Sequence, residues 1–213
     1  MGNPITVADI YCGIGGHSEG YKQAGHKVVF GLDIDSDCVK TFQLNNSEAT
    51  VLNADIKEIT SVPFEVDLVV GSPPCPTFSI ANSKRESDLT LTKEFFRVMK
   101  LFKPKFWVME NVPPIRTFFP QGKILNAYDY GVPQKRERCF VSNFTINPKH
   151  TPKVHIKDVL TVDGNAFILD SRMAHFSEGK EEYPVSGAIP TLTTKSNGYH
   201  IVTPQSKKEF LLS

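Results

Sequence analysis

Residues 5–16 read ITVADIYCGIGG, a run of β-forming residues that leads directly into a glycine-rich turn. Apolar and β-branched residues dominate the run, which is typical of a buried strand. The following residues, HSEGYKQAG, predict a helix that begins near Ser18 and stops at Gly25. A strand, a glycine turn and a helix in this order favour an α/β fold in which the turn approaches a ligand.

The same alternation continues along the next hundred residues. Four further strands are predicted in KVVFGLDID (27–35), TVLNADI (50–56), VDLVV (66–70) and FWVMENV (106–112). Helices are predicted in DCVKTFQLNN, with Ser36 as the N-cap, and in LTKEFFRVMKLFKP. Past residue 140, IKDVL predicts a helical turn, and AIPTLTT predicts a strand or an extended segment. Strands that alternate with helices predict a mainly parallel sheet whose ligands lie at the carboxyl ends of the strands.

Composition limits the class of protein. The 213 residues, of which 40% are hydrophobic, suffice for one substantial core. The sequence has no apolar stretch of about eighteen residues and no signal peptide at its start, so we expect a soluble intracellular protein without a membrane partner. The four cysteines form no C-x-x-C pair, which indicates reduced thiols and no metal site.

Charge is distributed unevenly along the chain. The net charge is only +1, yet residues 1–75 are acidic and residues 76–153 carry 14 of the 24 Lys and Arg side chains. A basic middle third predicts binding to a polyanion such as nucleic acid, because clustered cations release condensed counterions. A solvated basic face is the alternative.

Unusual residues follow the ends of the first three predicted strands. Gly13, Gly15 and Gly16 follow the first strand, Asp33 ends the second and Asp55 the third. A full G-x-G-x-x-G motif would need glycine at position 18, so a nicotinamide dinucleotide fits poorly. An adenosine ligand without a pyrophosphate fits better, and S-adenosylmethionine is the natural candidate.

The fourth strand leads into GSPPCPTFS (71–79), where a single thiol lies between prolines. Proline restricts φ and donates no backbone hydrogen bond, so this loop is stiff and can project Cys75 from the sheet edge. Such preorganisation suits a nucleophile. We interpret the other cysteines, Cys12, Cys38 and Cys139, as small core residues.

Four segments in order carry a family resemblance: DIYCGIGG, GSPPCPTFS, ENV and YGVPQKRER. Together they resemble the successive motifs of the cytosine carbon-5 DNA methyltransferases. The resemblance is close over residues 5–140 and loose beyond. It implies a Rossmann-like S-adenosylmethionine-dependent methyltransferase fold, with a reduced irregular C-terminal region. It also implies two parts, a catalytic domain (1–145) and a reduced target-recognition region (146–213).

The resemblance implies a mechanism as well. In this family a cysteine thiolate adds to carbon 6 of a cytosine that is flipped out of double-stranded DNA, and carbon 5 then attacks the sulfonium methyl group. Cys75 matches the nucleophile. Glu110 matches the glutamate that protonates or hydrogen-bonds the ring nitrogen. Arg136 and Arg138 match the paired arginines expected at the target base and its phosphate.

The remaining expected site residues fall into two groups. The cofactor, with S-adenosylhomocysteine as its product, is expected to contact Tyr11, Gly13, Gly15, Gly16, Asp33, Ile34, Asp55, Ile56 and Pro74. DNA is expected to contact Ser79, Asn111, Gln134, Arg136 and Arg138.

The sequence departs from the family pattern near its C-terminus. The segment AIPTLTT resembles a late motif but carries Ile189 where the usual arginine precedes proline. The sequence ends with PQSKKEFLLS, at the point where members of the family continue into a glutamine-glycine-asparagine motif. We therefore expect poor activity from the chain alone and a complementing C-terminal subunit as a partner.

Three other functions remain open. A non-catalytic subunit that binds DNA or cofactor is consistent with the missing tail. The tRNA-methylating branch usually carries cysteine-phenylalanine-threonine, whereas this chain has CFVSNF, which favours DNA. A thiol redox or nicotinamide enzyme lacks a resolving cysteine and a complete glycine pattern.

Overall fold

The computed structural model describes residues 3–74 and 88–155 and four short strands further along the chain. The chain separates into two compact units. The first comprises residues 1–124 and 138–147, and the second comprises residues 125–137 and 148–213. The division into 1–145 and 146–213 stays a prediction.

A mixed sheet forms the centre of the first unit. Its strands are β1 Thr6–Ile10, β2 Lys27–Asp33, β3 Thr50–Asn53, β4 Leu68–Gly71, β5 Phe106–Asn111, β6 Lys123–Asn126 and β8 Glu137–Ser142, and a short strand, β7 Gln134–Lys135, precedes β8. The helices of this unit are α1 Gly16–Gln23, α2 Ser36–Asn45 and α3 Thr90–Leu101. The five strands predicted from sequence are therefore confirmed.

The strand order in the sheet is β3-β2-β1-β4-β5-β8-β6. The first five strands in this order pair in parallel, and β8 runs antiparallel to β5. Because β1 lies between β2 and β4, the chain moves outward from β1 in both directions, which creates a ligand-binding crevice at the carboxyl ends of these strands. The fold is a Rossmann-like α/β fold, as predicted.

Two apolar clusters cover opposite faces of the sheet. Side chains alternate along a strand, so Val7 packs in one cluster and Ala8 in the other. The cluster that contains α3 is the larger and holds Phe95, Val98 and Phe102, all fully buried. These three positions lie at helical spacing in the sequence, which is why the pattern predicted this helix.

Two helix starts differ slightly from the prediction. The N-cap of α2 is Asp35 rather than Ser36, because the Asp35 carboxylate accepts hydrogen bonds from the backbone N–H groups of Asp37 and Cys38 at 2.9 Å. Asp35 also adopts the extended backbone expected of an N-cap, with φ −81° and ψ 115°. Helix α1 begins at Gly16, two residues before the predicted start.

The second unit contains short strands. Strands β9 Phe167–Asp170, β10 Glu182–Pro184 and β12 Tyr199–Val202 pair antiparallel in the order β10-β9-β12, and β7 pairs in parallel with β11 Ile189–Pro190. The extended backbone predicted in AIPTLTT is confirmed at β11. The helical turn predicted in IKDVL lies outside the described residues. In the described part of the chain, no helix has both the length and the apolar character needed to cross a membrane.

Candidate active site

A cavity of about 330 Å³ opens at the carboxyl ends of the parallel strands in the first unit. This volume lies at the lower end of the range for small-molecule sites, about 300 to 1,000 Å³. The cavity is lined by Tyr11, Leu32, Asp33, Ile34, Ala54, Asp55, Ile56, Lys57, Ser72, Pro74 and Leu91. Six of the residues predicted to contact the cofactor are in this set, namely Tyr11, Asp33, Ile34, Asp55, Ile56 and Pro74.

The glycine turn connects β1 to α1 with left-handed backbone. Gly13 has φ 51° and Gly15 has φ 99°, values that a residue with a side chain adopts only with strain. A Cβ atom at Gly15 would also lie 3.2 Å from the Phe42 ring. The backbone N–H of Gly13 donates to the Asp33 carboxylate at 2.8 Å. The turn is therefore fixed against the end of β2, where the cavity begins.

The two predicted carboxylates, Asp33 and Asp55, accept hydrogen bonds from backbone N–H groups near the cavity. One Asp33 oxygen accepts from Gly13 and the other from the backbone N–H of Asp35 at 3.0 Å. Asp55 accepts from the backbone N–H of Lys57 at 3.0 Å and so caps the short turn Ile56–Glu58. A carboxylate oxygen accepts more than one hydrogen bond, so both acids retain acceptor capacity toward a ligand.

Tyr11 forms a wall of the cavity in an unusual backbone conformation. Its φ is 61°, and its hydroxyl donates to the Leu91 carbonyl, in the first turn of α3, at 2.9 Å. Burial raises the pKa of the Tyr11 phenol, and the carboxylates of Glu94 and Asp55 raise it further. The hydroxyl therefore stays protonated and able to donate at neutral pH.

Asn111 contacts the proline segment, Pro73 and Pro74, that follows β4. The Asn111 side chain is buried, its amide donates to the Pro73 carbonyl at 3.0 Å, and its oxygen accepts from the backbone N–H of Val112 at 2.8 Å. Both polar groups of this side chain are thus used inside the protein. Asn111 therefore supports the proline segment, and its expected contact with DNA stays a prediction. Cys75 and Ser79 lie outside the described residues.

Glu110 and Arg138 form an ion pair across the antiparallel strands β5 and β8. The Arg138 Nε lies 3.0 Å from Glu110 Oε1, and the two side chains are only 21% and 15% exposed. Glu110 is paired with Phe140 across the two strands, so Arg138 reaches it diagonally. The sequence predicted both residues for the site, and the structure brings these two together.

The other predicted DNA-contacting residues belong to the second unit. Gln134 lies in β7, and the backbone N–H of Arg136 donates to the Asn126 side chain at 3.1 Å. The backbone N–H of Ala127 donates in turn to the Arg136 carbonyl at 3.0 Å. These bonds hold the backbone around Arg136 in place.

The three described thiols all have a raised pKa. Burial raises the pKa of Cys12 and of Cys139, and burial followed by the nearby Asp35 and Asp33 carboxylates raises the pKa of Cys38. A raised pKa leaves less thiolate at neutral pH. In the described part of the chain, no group of three or more His, Cys, Asp and Glu side chains is arranged to hold a metal ion.

The family model of C-5 cytosine-specific DNA methylases matches residues 5–119, more than half of the chain. The chain belongs to this family. The match contains the cavity, the glycine turn, the proline segment and Glu110. Arg138 and the residues of the second unit lie outside it.

Two curated type II methyltransferases illustrate the similarity. The chain is 32% identical over 164 residues to the type II methyltransferase M.DdeI of Desulfomicrobium norvegicum, a match that covers 64% of this chain and 40% of M.DdeI. It is 33% identical over 173 residues to the type II methyltransferase M.AquIA of a Picosynechococcus species, with 63% of this chain and 70% of M.AquIA covered. The chain thus spans less than half of M.DdeI and about two thirds of M.AquIA.

The fold is also similar to that of a solved relative. A crystal structure of a protein described as a DNA modification methyltransferase encoded within an E. coli prophage superimposes with a TM-score of 0.59 and 26% identity. The match covers 76% of this chain and 57% of that protein. The Rossmann-like architecture of a DNA methylase therefore extends over most of the chain.

Several residues that line the cavity or hold its walls were not predicted from sequence. Leu91 receives the Tyr11 hydroxyl, Ser72 lines the cavity, and Arg97 holds the turn that contains Asp55. The serine stands in a segment that the motif already identified. Nothing in the sequence marks Leu91 or Arg97, because their partners lie 80 and about 40 residues away along the chain.

Proposed function

We propose that this chain transfers a methyl group from S-adenosylmethionine to carbon 5 of a cytosine that is turned out of double-stranded DNA. The observation that carries the proposal is the cavity at the ends of β1, β2 and β3. It is lined by the carboxylates of Asp33 and Asp55 and by Pro74, the residue that precedes Cys75. Membership of the C-5 cytosine-specific methylases supports the choice of base and position.

The cavity residues fit an adenosine ligand with a positive charge. Asp33 stands where a carboxylate can accept hydrogen bonds from ribose hydroxyls, and Asp55 where one can accept from an exocyclic amino group. Ile34 and Leu91 offer apolar surface to a purine ring. Two carboxylates also favour a sulfonium over a neutral or anionic ligand. When bound, S-adenosylmethionine supplies an electrophilic methyl group.

Carbon 5 of cytosine needs activation before it can accept this methyl group. The Cys75 thiolate adds to carbon 6, and the electron pair of the 5,6 double bond becomes available at carbon 5. Glu110 holds a proton at the ring nitrogen and so offsets the charge that develops on the base. After methyl transfer, loss of the carbon 5 proton and expulsion of the thiolate restore the double bond.

DNA contacts are assigned to the basic residues after the catalytic strand. Arg136 and Arg138 carry guanidinium groups that bind phosphate or a base edge in bidentate geometry. Gln134 and Ser79 are proposed as further contacts. Asn111 remains in this set, with one of its two amide N–H groups bonded to the Pro73 carbonyl.

A methyl-transfer assay tests the proposed function. The 213-residue chain is incubated with S-adenosylmethionine carrying a labelled methyl group and with either duplex DNA of mixed sequence or tRNA. Each reaction is run with the chain alone and with a C-terminal fragment of a relative such as M.DdeI. We expect label in 5-methylcytosine in at least one of the two arms. Transfer to tRNA alone would support the tRNA-methylating branch. Retained binding of S-adenosylhomocysteine without transfer in either arm would favour a non-catalytic subunit.

Replacement of Asp33 by alanine should weaken binding of S-adenosylhomocysteine by about ten- to a hundredfold. The estimate follows from the loss of a charged hydrogen-bond partner, which costs about 1.5 to 3 kcal/mol, with about 1.4 kcal/mol for each tenfold change. The variant also loses the contact that fixes Gly13, which contributes to the same decrease. Isothermal titration calorimetry measures the affinity.

Asp37 provides the matched control. It lies in the first turn of α2, its side chain is 87% exposed, and its replacement by alanine removes the same charge from the same region. We expect Asp37→Ala to bind S-adenosylhomocysteine as the unmodified chain does. Unchanged affinity in Asp33→Ala, with the thermal unfolding temperature preserved, would remove Asp33 from the cofactor site.

A further inference from the structure

The turn that carries Asp55 is held by a side chain from a distant helix. Arg97 in α3 donates from one terminal nitrogen to the Ile56 carbonyl at 2.7 Å and from the other to the Ile59 carbonyl at 2.5 Å. These partners lie 41 and 38 residues before Arg97 in the chain. Arg97 lies in none of the four segments that carry the family resemblance.

The guanidinium group itself is held in orientation by Glu94. Arg97 Nε donates to the Glu94 carboxylate at 2.7 Å, and a terminal nitrogen lies at the same distance from the same oxygen. The Arg97 and Glu94 side chains are 39% and 22% exposed, so the arrangement is partly shielded from solvent. An arginine can satisfy a carboxylate and two carbonyls at once because its five donors lie in one rigid plane.

The turn needs such support because it follows an edge strand. Strand β3 has four residues and lies at the outer edge of the sheet, where β2 is its one partner among the described strands. Beyond β3, the Ile56 and Ile59 side chains enter the core. The apolar contacts of these two side chains hold the turn against the core. The hydrogen bonds from Arg97 to their carbonyls restrict rotation of the turn about its own axis. That rotation decides where the Asp55 carboxylate points.

We propose that Arg97 is a positioning residue that orients Asp55 to recognise the 6-amino group of the cofactor's adenine. The inference rests on the proposed function, since it takes the ligand of the cavity to be S-adenosylmethionine. Arg97 contacts the turn, and Asp55 is the residue through which that turn presents a carboxylate to the cavity. Loss of Arg97 therefore affects recognition of the amino group more than binding of the rest of the ligand.

Calorimetry with two ligands tests this role. The probes are S-adenosylhomocysteine and its analogue with hydrogen in place of the 6-amino group, and the proteins are the unmodified chain, Arg97→Gln and Arg97→Lys. We expect the unmodified chain to prefer the amino ligand by about tenfold, which corresponds to about 1.4 kcal/mol. In Arg97→Gln this preference should fall to about twofold or less. In Arg97→Lys the preference should fall nearly as far, because an ammonium group cannot reproduce the planar set of donors of a guanidinium group.

Lys100→Gln is the matched control, because it removes the same charge from an exposed position in the same helix. It should keep the tenfold preference. Equal weakening of both ligands in the Arg97 variants, with the preference intact, would overturn the inference and leave Arg97 a purely structural residue. If Arg97→Gln fails to fold, as thermal unfolding would show, Arg97→Lys decides by the same ratio. Absence of binding of either ligand to the unmodified chain would overturn the proposed function, and with it this inference.

Discussion

Replacement of Cys75 by serine should abolish methyl transfer, with a loss of rate of at least about a thousandfold. A serine hydroxyl is a weak nucleophile at its ordinary pKa, and it has no adjacent general base among the groups that we assign to this site. Without addition at carbon 6, carbon 5 stays unreactive toward the methyl group. A radiolabelled methyl-transfer assay on duplex DNA measures the change.

A covalent adduct gives an independent measurement of the same step. DNA that contains 5-fluorocytosine keeps fluorine at carbon 5, which cannot leave as a proton does, so the protein remains attached to the base. We expect a denaturation-resistant protein–DNA complex with the unmodified chain and none with Cys75→Ser. An adduct formed by the serine variant as readily as by the unmodified chain would reject Cys75 as the nucleophile.

Cys38→Ser is the control for this experiment. Cys38 is a partly exposed thiol in α2, and it tests whether any accessible cysteine can form the adduct. Burial and nearby carboxylates raise the pKa of Cys38, so it carries little thiolate at neutral pH. We expect this variant to keep both adduct formation and methyl transfer.

Five parallel strands, and the sheet edge at which their terminal polar residues meet, were predictable from sequence for physical reasons. A parallel strand is buried on both faces and reads as a short apolar run, and each such run here ends in a polar or glycine residue. Because parallel strands end at the same edge of the sheet, Asp33 and Asp55 had to lie close together. Both now line one cavity.

The contacts that orient these side chains were not predictable. Asn111 follows Glu110 in a motif, but no pattern around it indicates the bond from its buried amide to the Pro73 carbonyl. Tyr11 was expected to contact the cofactor, and its ring lines the cavity, but nothing in its neighbours along the chain indicates the bond from its hydroxyl to Leu91. Such bonds depend on the packing of elements far apart in sequence, which a local pattern does not contain.

Replacement of Glu110 by glutamine should lower the turnover number by about a hundred- to ten-thousandfold, the range typical of lost proton transfer. Glutamine has nearly the same shape and can still donate a hydrogen bond to the ring nitrogen, but it cannot transfer a proton. Binding of S-adenosylhomocysteine should stay unchanged, because Glu110 does not line the cofactor cavity. Steady-state kinetics and calorimetry on the same preparation separate the two effects.

Glu65→Gln is the control for loss of a paired carboxylate. Glu65 forms an ion pair with Lys103 at 2.7 Å, but this pair is exposed, with side chains 65% and 73% accessible. Exposed pairs contribute little to stability, so this variant should stay folded. Because Glu65 is not among the residues that we assign to the site, its turnover should also stay normal. Full turnover in Glu110→Gln would show instead that a hydrogen bond to the base suffices and that no proton passes through residue 110.

The ion pair between Glu110 and Arg138 allows a double-mutant cycle that measures whether the two residues act together in turnover. The Arg138 Nε lies 3.0 Å from the Glu110 carboxylate, so removal of either partner changes the setting of the other. Residues in direct contact give non-additive effects in a double-mutant cycle. We therefore expect Arg138→Gln to reduce turnover strongly in the unmodified chain and much less in the Glu110→Gln background. Fully additive losses would mean that Arg138 acts on DNA alone, independently of the glutamate that it contacts.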